Sequence, residues 1–268
     1  ALLAEAVAAA EASDVVVVVV GDMIQLIGES RSTATLELFG AQNALLEALA
    51  ATARPMVVVL LASKPLILPP AALEAAAIVN AFNPGMRGGQ ALAELLFGRI
   101  EPSGRLPISF ARHAGQLPVY YNQVRGQHGH RYADLTQDPL FAFGEGLSYT
   151  TVDYADLVIV QPELGLGDTL RAQVTLVNTG QRPALETVQV YVRDRVASVT
   201  WAEKELKTYR QVPLEPGQRV VVDLELPVSA CSLVDARGAR VVEPGEFELL
   251  VGRSSRPRDL LAARFRVG

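Results

Sequence analysis

The apolar residues of this chain change their repeat partway along, and that change sets what each half can fold into. Up to about residue 100, short apolar runs alternate with helical stretches. Val15–Val20 is an unbroken run of valine and reads as a parallel strand buried on both faces. Met56–Leu61 (MVVVLL) and Ala77–Phe82 repeat the signal. Helices are expected over Ala1–Ala12, Ala41–Ala53, Pro70–Ala76 and Gln90–Phe97. Strands spaced by helices of this length imply right-handed crossovers and a largely parallel sheet covered on both faces. Three strands make a thin sheet, so further strands are expected upstream. Ala1 also opens directly into ALLAEAVAAAEA, without an initiator Met, a basic leader or a cleavage site. Both features lead us to expect the C-terminal part of something longer.

From residue 153 to 268 the repeat becomes two. Strands are expected over Tyr154–Val160, Leu170–Asn178, Thr187–Asp194, Glu203–Val212, Arg219–Leu226, Gly245–Gly252 and Ala262–Val267. The turn signals LGLGD, NTGQR, LEPGQ, DARGA and VEPGE separate them. About seven short strands with turns every 8–12 residues indicate an immunoglobulin-like or fibronectin-type sandwich. The lack of a Cys…Trp…Cys pattern favours the fibronectin-like variety. The expected organisation is therefore a partial α/β sandwich over 1–110, an ordered connector over 111–152, and a fibronectin type III-like domain over 153–268. The connector is rich in Pro, Gly and aromatics, a composition that argues against disorder.

Composition narrows the function classes. The 24 Lys and Arg against 29 Asp and Glu leave a formal net charge of −5, which disfavours phosphate-backbone binding. The single cysteine, Cys231, forbids an internal disulfide, which leans mildly toward a cytoplasmic setting. No apolar run approaches the ~20 residues that cross a bilayer. Neither nucleic acid nor membrane is an expected partner.

Ligands of parallel α/β sheets bind beyond the carboxyl ends of the strands. The long loop after Val15–Val20 occupies that place and carries Asp22, Glu29, Arg31 and Glu37. A carboxylate beside an arginine on such a loop is a candidate general acid/base, with a solvated surface pair as the bland alternative. GESRS in the same loop approaches the nucleophile elbow G-x-S-x-G, but Ser32 replaces the final glycine. Ser30, with His113, His128 or His130 as base, is the weaker serine-hydrolase reading. NPGMRGG (83–89) reads as a tight strand-to-helix turn rather than an anion site. His128 and His130 with Asp134 fall short of a metal-ligand set. Tyr120, Tyr121 and Tyr132 suit either sugar stacking or anchoring of the connector, and Trp201 with Lys204 and Lys207 reads as sandwich-domain surface or interdomain contact.

Ten segments together resemble the C-terminal half of the family 3 glycoside hydrolases, the β-glucosidase and β-xylosidase type. They run in the family's order: SDVVVVVVGD, GES…LELFG, RPMVVVLLASKPL, NPGMRGGQALAELLFGRIEPSGRLPISF, GQLPVYYN, RYADL, PLFAFGEGLSYT, VQVYVRD, KELKTYRQVPLEPGQ and VEPGEFELLVG. PSGRLPISF followed by FGEGLSYT is the most specific pair. The resemblance implies a (β/α)8 barrel with an aspartate nucleophile upstream, then the α/β sandwich, then the fibronectin-like domain. It places the general acid/base on Glu29, in a loop usually written GE-x-x-x-R-x-x-L-x-L-P-G; Ser30 and Arg31 are the expected substrate-binding residues, Arg31 either orienting Glu29 or touching the sugar. The implied substrate is a β-linked oligosaccharide or glycoside, and no metal or organic cofactor is implied. This chain departs from the pattern at Thr33 (for Arg), Phe39 (for Pro) and ASKPL (for NGRPL). A non-catalytic carbohydrate-binding or scaffolding module is the rival expectation.

Overall fold

A computed structural model describes residues 1–126 and 131–268. The chain forms two compact units, one of residues 1–99 and 110–117, the other of residues 100–109 and 118–268.

The first unit follows the helix and strand alternation. Its elements are α1 (Leu2–Glu11), β1 (Val16–Gly21), α2 (Gln42–Ala50), β2 (Met56–Leu61), α3 (Pro70–Leu73), β3 (Ala77–Asn80) and α4 (Gly88–Leu96). The sheet order is β1-β2-β3, parallel throughout, with Val18 opposite Val58 and Val58 opposite Ile78. Period two decides the faces: Val18, Val20, Val58 and Leu60 are buried, as are Leu46 and Leu49 of α2. The expectation of full burial on both faces fails for β1. Val17 and Val19, on its other face, are 50% and 57% exposed, because β1 is an edge strand and that face is open beside it.

NPGMRGG forms the tight turn expected. Gly88 N–H donates to the Gly85 carbonyl (3.0 Å), and the Pro84 ring fills the space a Gly88 side chain would need (2.5 Å). α4 starts there, so the glycine is required by close packing.

The second unit is a two-sheet sandwich. Its principal strands are β4 (Val152–Ile159), β6 (Thr169–Asn178), β7 (Ala184–Asp194), β8 (Glu205–Leu214), β9 (Arg219–Pro227), β12 (Gly245–Gly252) and β13 (Leu260–Val267). The two-residue strands β5 (Glu163–Leu164), β10 (Leu233–Val234) and β11 (Arg240–Val241) complete the set. One sheet runs β4-β6-β9 and the other β5-β13-β12-β7-β8. Their inner faces interdigitate through Val174, Leu176, Val190, Leu224, Leu249 and Val251, and Phe247 stacks on Phe265 at 5.4 Å.

β7 is buried on both faces, for a different reason. Tyr121, Phe143 and Gly144 lie over its outer side: Tyr121 stacks on Phe143 (4.1 Å) and meets Tyr191 edge-on (5.9 Å). Gln189 Nε2 donates to the Gly144 carbonyl (2.9 Å), and Tyr191 OH donates to Gln189 Oε1 (2.6 Å). Arg105 pairs with Glu186 (2.9 Å), which also accepts from Tyr154 OH (2.7 Å). Burial and the neighbouring carboxylate push the Tyr154 phenol well above its ordinary range, so it remains a donor. Tyr121 is thus an anchor of this segment, while Tyr120 is exposed. Trp201 is half-buried, with Nε1 donating to Glu205 (2.9 Å).

Two substitutions test this packing by urea unfolding. Phe247→Ala should cost about 3–5 kcal/mol, whereas the exposed Tyr209→Ala should change stability by under about 0.5 kcal/mol. Gly144 sits at φ +77, with Gln189 Oε1 2.0 Å from where a side chain would begin. Gly144→Ala should therefore destabilise by about 1–3 kcal/mol, seen as a lower unfolding midpoint, with Tyr121 becoming more accessible to fluorescence quenchers.

Candidate active site

The loop of residues 22–40 leaves the sheet at the carboxyl end of β1 and returns to α2. Its first constraint is Gly21, at φ +148, where a side chain would sit 2.0 Å from the Leu61 carbonyl oxygen. Only glycine lets β1 lie this close to β2 at that point. The Asp22 N–H then donates to the same carbonyl (2.9 Å). Asp22 Oδ2 accepts from both the backbone N–H and the hydroxyl of Ser63 (3.1 and 3.0 Å).

Gln42, the first residue of α2, closes the loop. Its Oε1 accepts from Gly21 N–H (2.7 Å), and its Nε2 donates to the carbonyls of Gly21 and Phe39 (2.9 Å each). One side-chain amide thus joins the two feet of the loop.

The returning limb is fastened as well. Ile67 N–H donates to the Leu36 carbonyl (2.8 Å), Glu37 bridges Ile67 in parallel, and Leu38 is buried. Lys64 Nζ donates to Thr33 Oγ1 and to the Thr35 carbonyl (3.3 Å). Thr33 Oγ1 in turn donates to the Thr35 carbonyl (2.9 Å). Two of the sequence departures, Thr33 and the lysine of ASKPL, therefore meet in space. The third, Phe39, is half-exposed and serves the clamp through its backbone.

Between these fastenings runs an arc from Met23 to Ser32. A single 3₁₀ turn (Ile24–Leu26) starts it. Its tip is a tight turn in which Arg31 N–H donates to the Gly28 carbonyl (3.3 Å), with Gly28 at φ +107 and Ser30 at φ +59. A left-handed third residue suits glycine or asparagine, so serine there costs roughly 1 kcal/mol. Glu29 occupies the second position of the turn. Glu29, Ser30, Arg31 and Ser32 are all exposed.

The structure thus sets Glu29, Ser30 and Arg31 side by side on one tip but does not pair them. Among the described residues, neither the Glu29 carboxylate nor the Arg31 guanidinium has a hydrogen bond or an ion pair. The alternative of a Glu29–Arg31 surface pair is not formed among the described residues. Met23 and Ile24 project apolar side chains from the same arc, Ile24 being 80% exposed.

The serine-hydrolase geometry is missing. Ser30 lies on a loop tip rather than on a sharp strand-to-helix turn, and no histidine bonds to it among the described residues. His113 is used elsewhere: its Nδ1 accepts from Gly115 N–H (3.0 Å) and caps a short 3₁₀ turn. His128 and His130 lie outside the described residues. No group of three His, Cys, Asp or Glu is arranged to hold a metal among the described residues. No helix among them is long and apolar enough to cross a membrane.

The sequence singles out Glu29 as a candidate but not Gln42, and it marks Lys64 only as a departure. Their roles depend on contacts 21 and 31 positions away, which no local pattern announces.

Comparison with known proteins bears on what this loop belongs to. Residues 1–149 match the glycosyl hydrolase family 3 C-terminal domain, and residues 186–255 match the fibronectin type III-like domain. The periplasmic β-glucosidase of Salmonella typhimurium is 36% identical over 265 residues, covering 95% of this chain and 35% of that protein. A β-xylosidase of Formosa agariphila is 38% identical over 261 residues, covering 96% and 36%. Among solved structures, a β-glucosidase involved in saponin metabolism from intestinal bacteria superposes with a TM-score of 0.95 at 54% identity. It covers all of this chain and 38% of that one. The β-glucosidase of Listeria innocua in complex with glucose gives 0.93 at 32% identity, covering 99% and 38%. The chain spans little more than a third of the length of these relatives. It belongs to glycosyl hydrolase family 3, whose C-terminal α/β domain it carries ahead of a fibronectin type III-like domain.

Proposed function

We propose that this chain is the acid/base-bearing part of a retaining β-glycosidase that removes terminal non-reducing β-D-glycosyl residues, β-glucosidase or β-xylosidase like. Glu29 supplies the proton, Ser30 and Arg31 contact the sugar, and a (β/α)8 barrel of the same protein supplies the nucleophile. The observation that carries this reading is the Glu29 carboxylate itself. It is exposed and, among the described residues, unpaired, at the tip of an arc whose feet are clamped at the carboxyl end of a parallel sheet. A carboxylate with a structural job would be spent on a neighbour. The relatives named above are β-glucosidases and a β-xylosidase, which supports the substrate class.

The chemistry is a double displacement with carboxyl groups about 5–5.5 Å apart. In the first step the nucleophile carboxylate bonds to the anomeric carbon as the glycosidic C–O bond breaks. The protonated Glu29 gives its proton to the departing oxygen, so the leaving group departs as an alcohol. In the second step the Glu29 carboxylate takes a proton from water, whose oxygen attacks the anomeric carbon and releases the nucleophile. One water is consumed, and Glu29 ends protonated as it began. The exposed Met23 and Ile24 fit an arc that packs against an apolar surface when the site assembles.

Two outcomes are expected. The 268 residues alone should not hydrolyse an aryl β-glucoside or β-xyloside, because the second carboxylate is supplied elsewhere. In the intact protein, Glu29→Gln should lower kcat about 10²–10⁴-fold on substrates with poor leaving groups, and much less for the first step on activated aryl glycosides. Azide should restore turnover and yield the glycosyl azide of retained configuration. Wild-type kinetics in Glu29→Gln would refute the assignment and favour a carbohydrate-binding or scaffolding role for the loop.

A further inference from the structure

We propose that Lys64 is a positioning residue for Glu29, setting where the arc that bears the carboxylate ends; this rests on the acid/base reading of Glu29 above. The fastenings of the 22–40 loop are unevenly spread. Both feet are held by Gln42. On the returning limb the fastenings run inward from the Leu36 and Glu37 contacts with Ile67 to Thr35 and then Thr33. Thr33 is the last of them. Beyond it, from Ser32 back to Met23, the hydrogen bonds that hold the arc among the described residues are those of its own turns.

Lys64 makes that innermost fastening alone. Its ammonium reaches the Thr33 hydroxyl and the Thr35 carbonyl at once, and it has no carboxylate partner among the described residues. Its own backbone is fixed on both sides. Ser63 is tied to Asp22 through two hydrogen bonds, and Pro65 restricts the residue before it to extended geometry. Lys64 is therefore a stiffly mounted cation beside the carboxyl end of β2, holding the fourth and sixth residues after Glu29. Without it the unfastened arc lengthens toward Leu36, and the carboxylate samples a larger volume. General acid catalysis needs hydrogen-bond reach to one oxygen, and a displacement near 1 Å costs about 100-fold in rate.

The experiment is a kinetic cycle in the intact protein with Lys64→Met, Lys64→Arg, Thr33→Val and Glu29→Gln. Lys64→Met should lower kcat about 10- to 100-fold on an alkyl β-glucoside with KM changed less than about twofold. The loss should be smaller on a dinitrophenyl glycoside, which needs little protonation of its leaving group. Lys64→Arg should recover most of the loss, since charge and donors remain. Thr33→Val should lose rate in the same leaving-group-dependent way, and it stands in if Lys64→Met does not fold. In the Glu29→Gln background, Lys64→Met should cause no further loss. The proposal is overturned if Lys64→Met multiplies the Glu29→Gln loss by its full factor, or if its loss is equal for both leaving groups. It is also overturned if Lys64→Met and Thr33→Val both keep wild-type rates while Glu29→Gln does not. Wild-type rates in Glu29→Gln alone would overturn the Glu29 assignment first, and this proposal with it.

Discussion

A single side-chain amide holds the site together. Gln42 accepts from one backbone group and donates to two, and those groups belong to the residue where the loop departs and the residue where it returns. Joining the ends of a loop of roughly 18 residues costs about 2.6 kcal/mol in its length-dependent entropy. Three net hydrogen bonds at about 1 kcal/mol each offset that. The balance of this clamp alone is near zero, and the fastenings at Leu36, Glu37 and Lys64 add to it. The clamp depends on Gly21, since a side chain there would push β1 away from β2 and move the amide's first two partners. Strand contact, glycine and clamp form one unit.

Much of the fold was legible because it depends on local repeats. The run of valines located β1 to within a residue, and period two located every principal strand of the sandwich, with no end displaced by more than three residues. Two features were not legible. Burial of both faces of β1 failed because apolar sequence reports what a face would bury, not whether something lies against it. Tyr191 and Gln189, on the outer face of β7, are buried by a segment with no periodicity, whose aromatics suited a ligand as well as an anchor. Only the distance from Tyr121 to Phe143 separates those alternatives.

The site divides in the same way. Glu29 stands out because its motif is local, whereas the partners that shape its loop come from the next strand and helix. The meeting of Thr33 with Lys64 is instructive here. Read position by position, an arginine lost from the loop and an altered residue after β2 are separate oddities. In space they are one contact in which a cation approaches the loop from outside and a short hydroxyl receives it. A positive charge is thereby kept near the trailing end of the arc, at a place from which it fastens backbone rather than projecting beside the carboxylate. A contact between positions 31 residues apart is invisible to a pattern that scores residues singly.

The geometry also bounds where the opposing wall of the site must stand. The arc from Met23 to Ser32 goes out and comes back, so about five residues span each way. At roughly 3.3 Å per residue the tip reaches no more than about 16 Å beyond its fastenings. On the proposed role of Glu29, adding the reach of its side chain and the 5–5.5 Å separation of the two carboxyl groups in a retaining site puts the proposed nucleophile within roughly 26 Å of the Asp22–Ser63 and Lys64–Thr33 contacts. The tight turn at Gly28–Arg31 spends part of that length on reversing direction, which brings the limit closer still. A loop of this size therefore cannot search for its partner. The clamp at Gln42 and the fastening at Lys64 must already aim it, with the left-handed Ser30 setting the turn at a tip on which Glu29 is exposed.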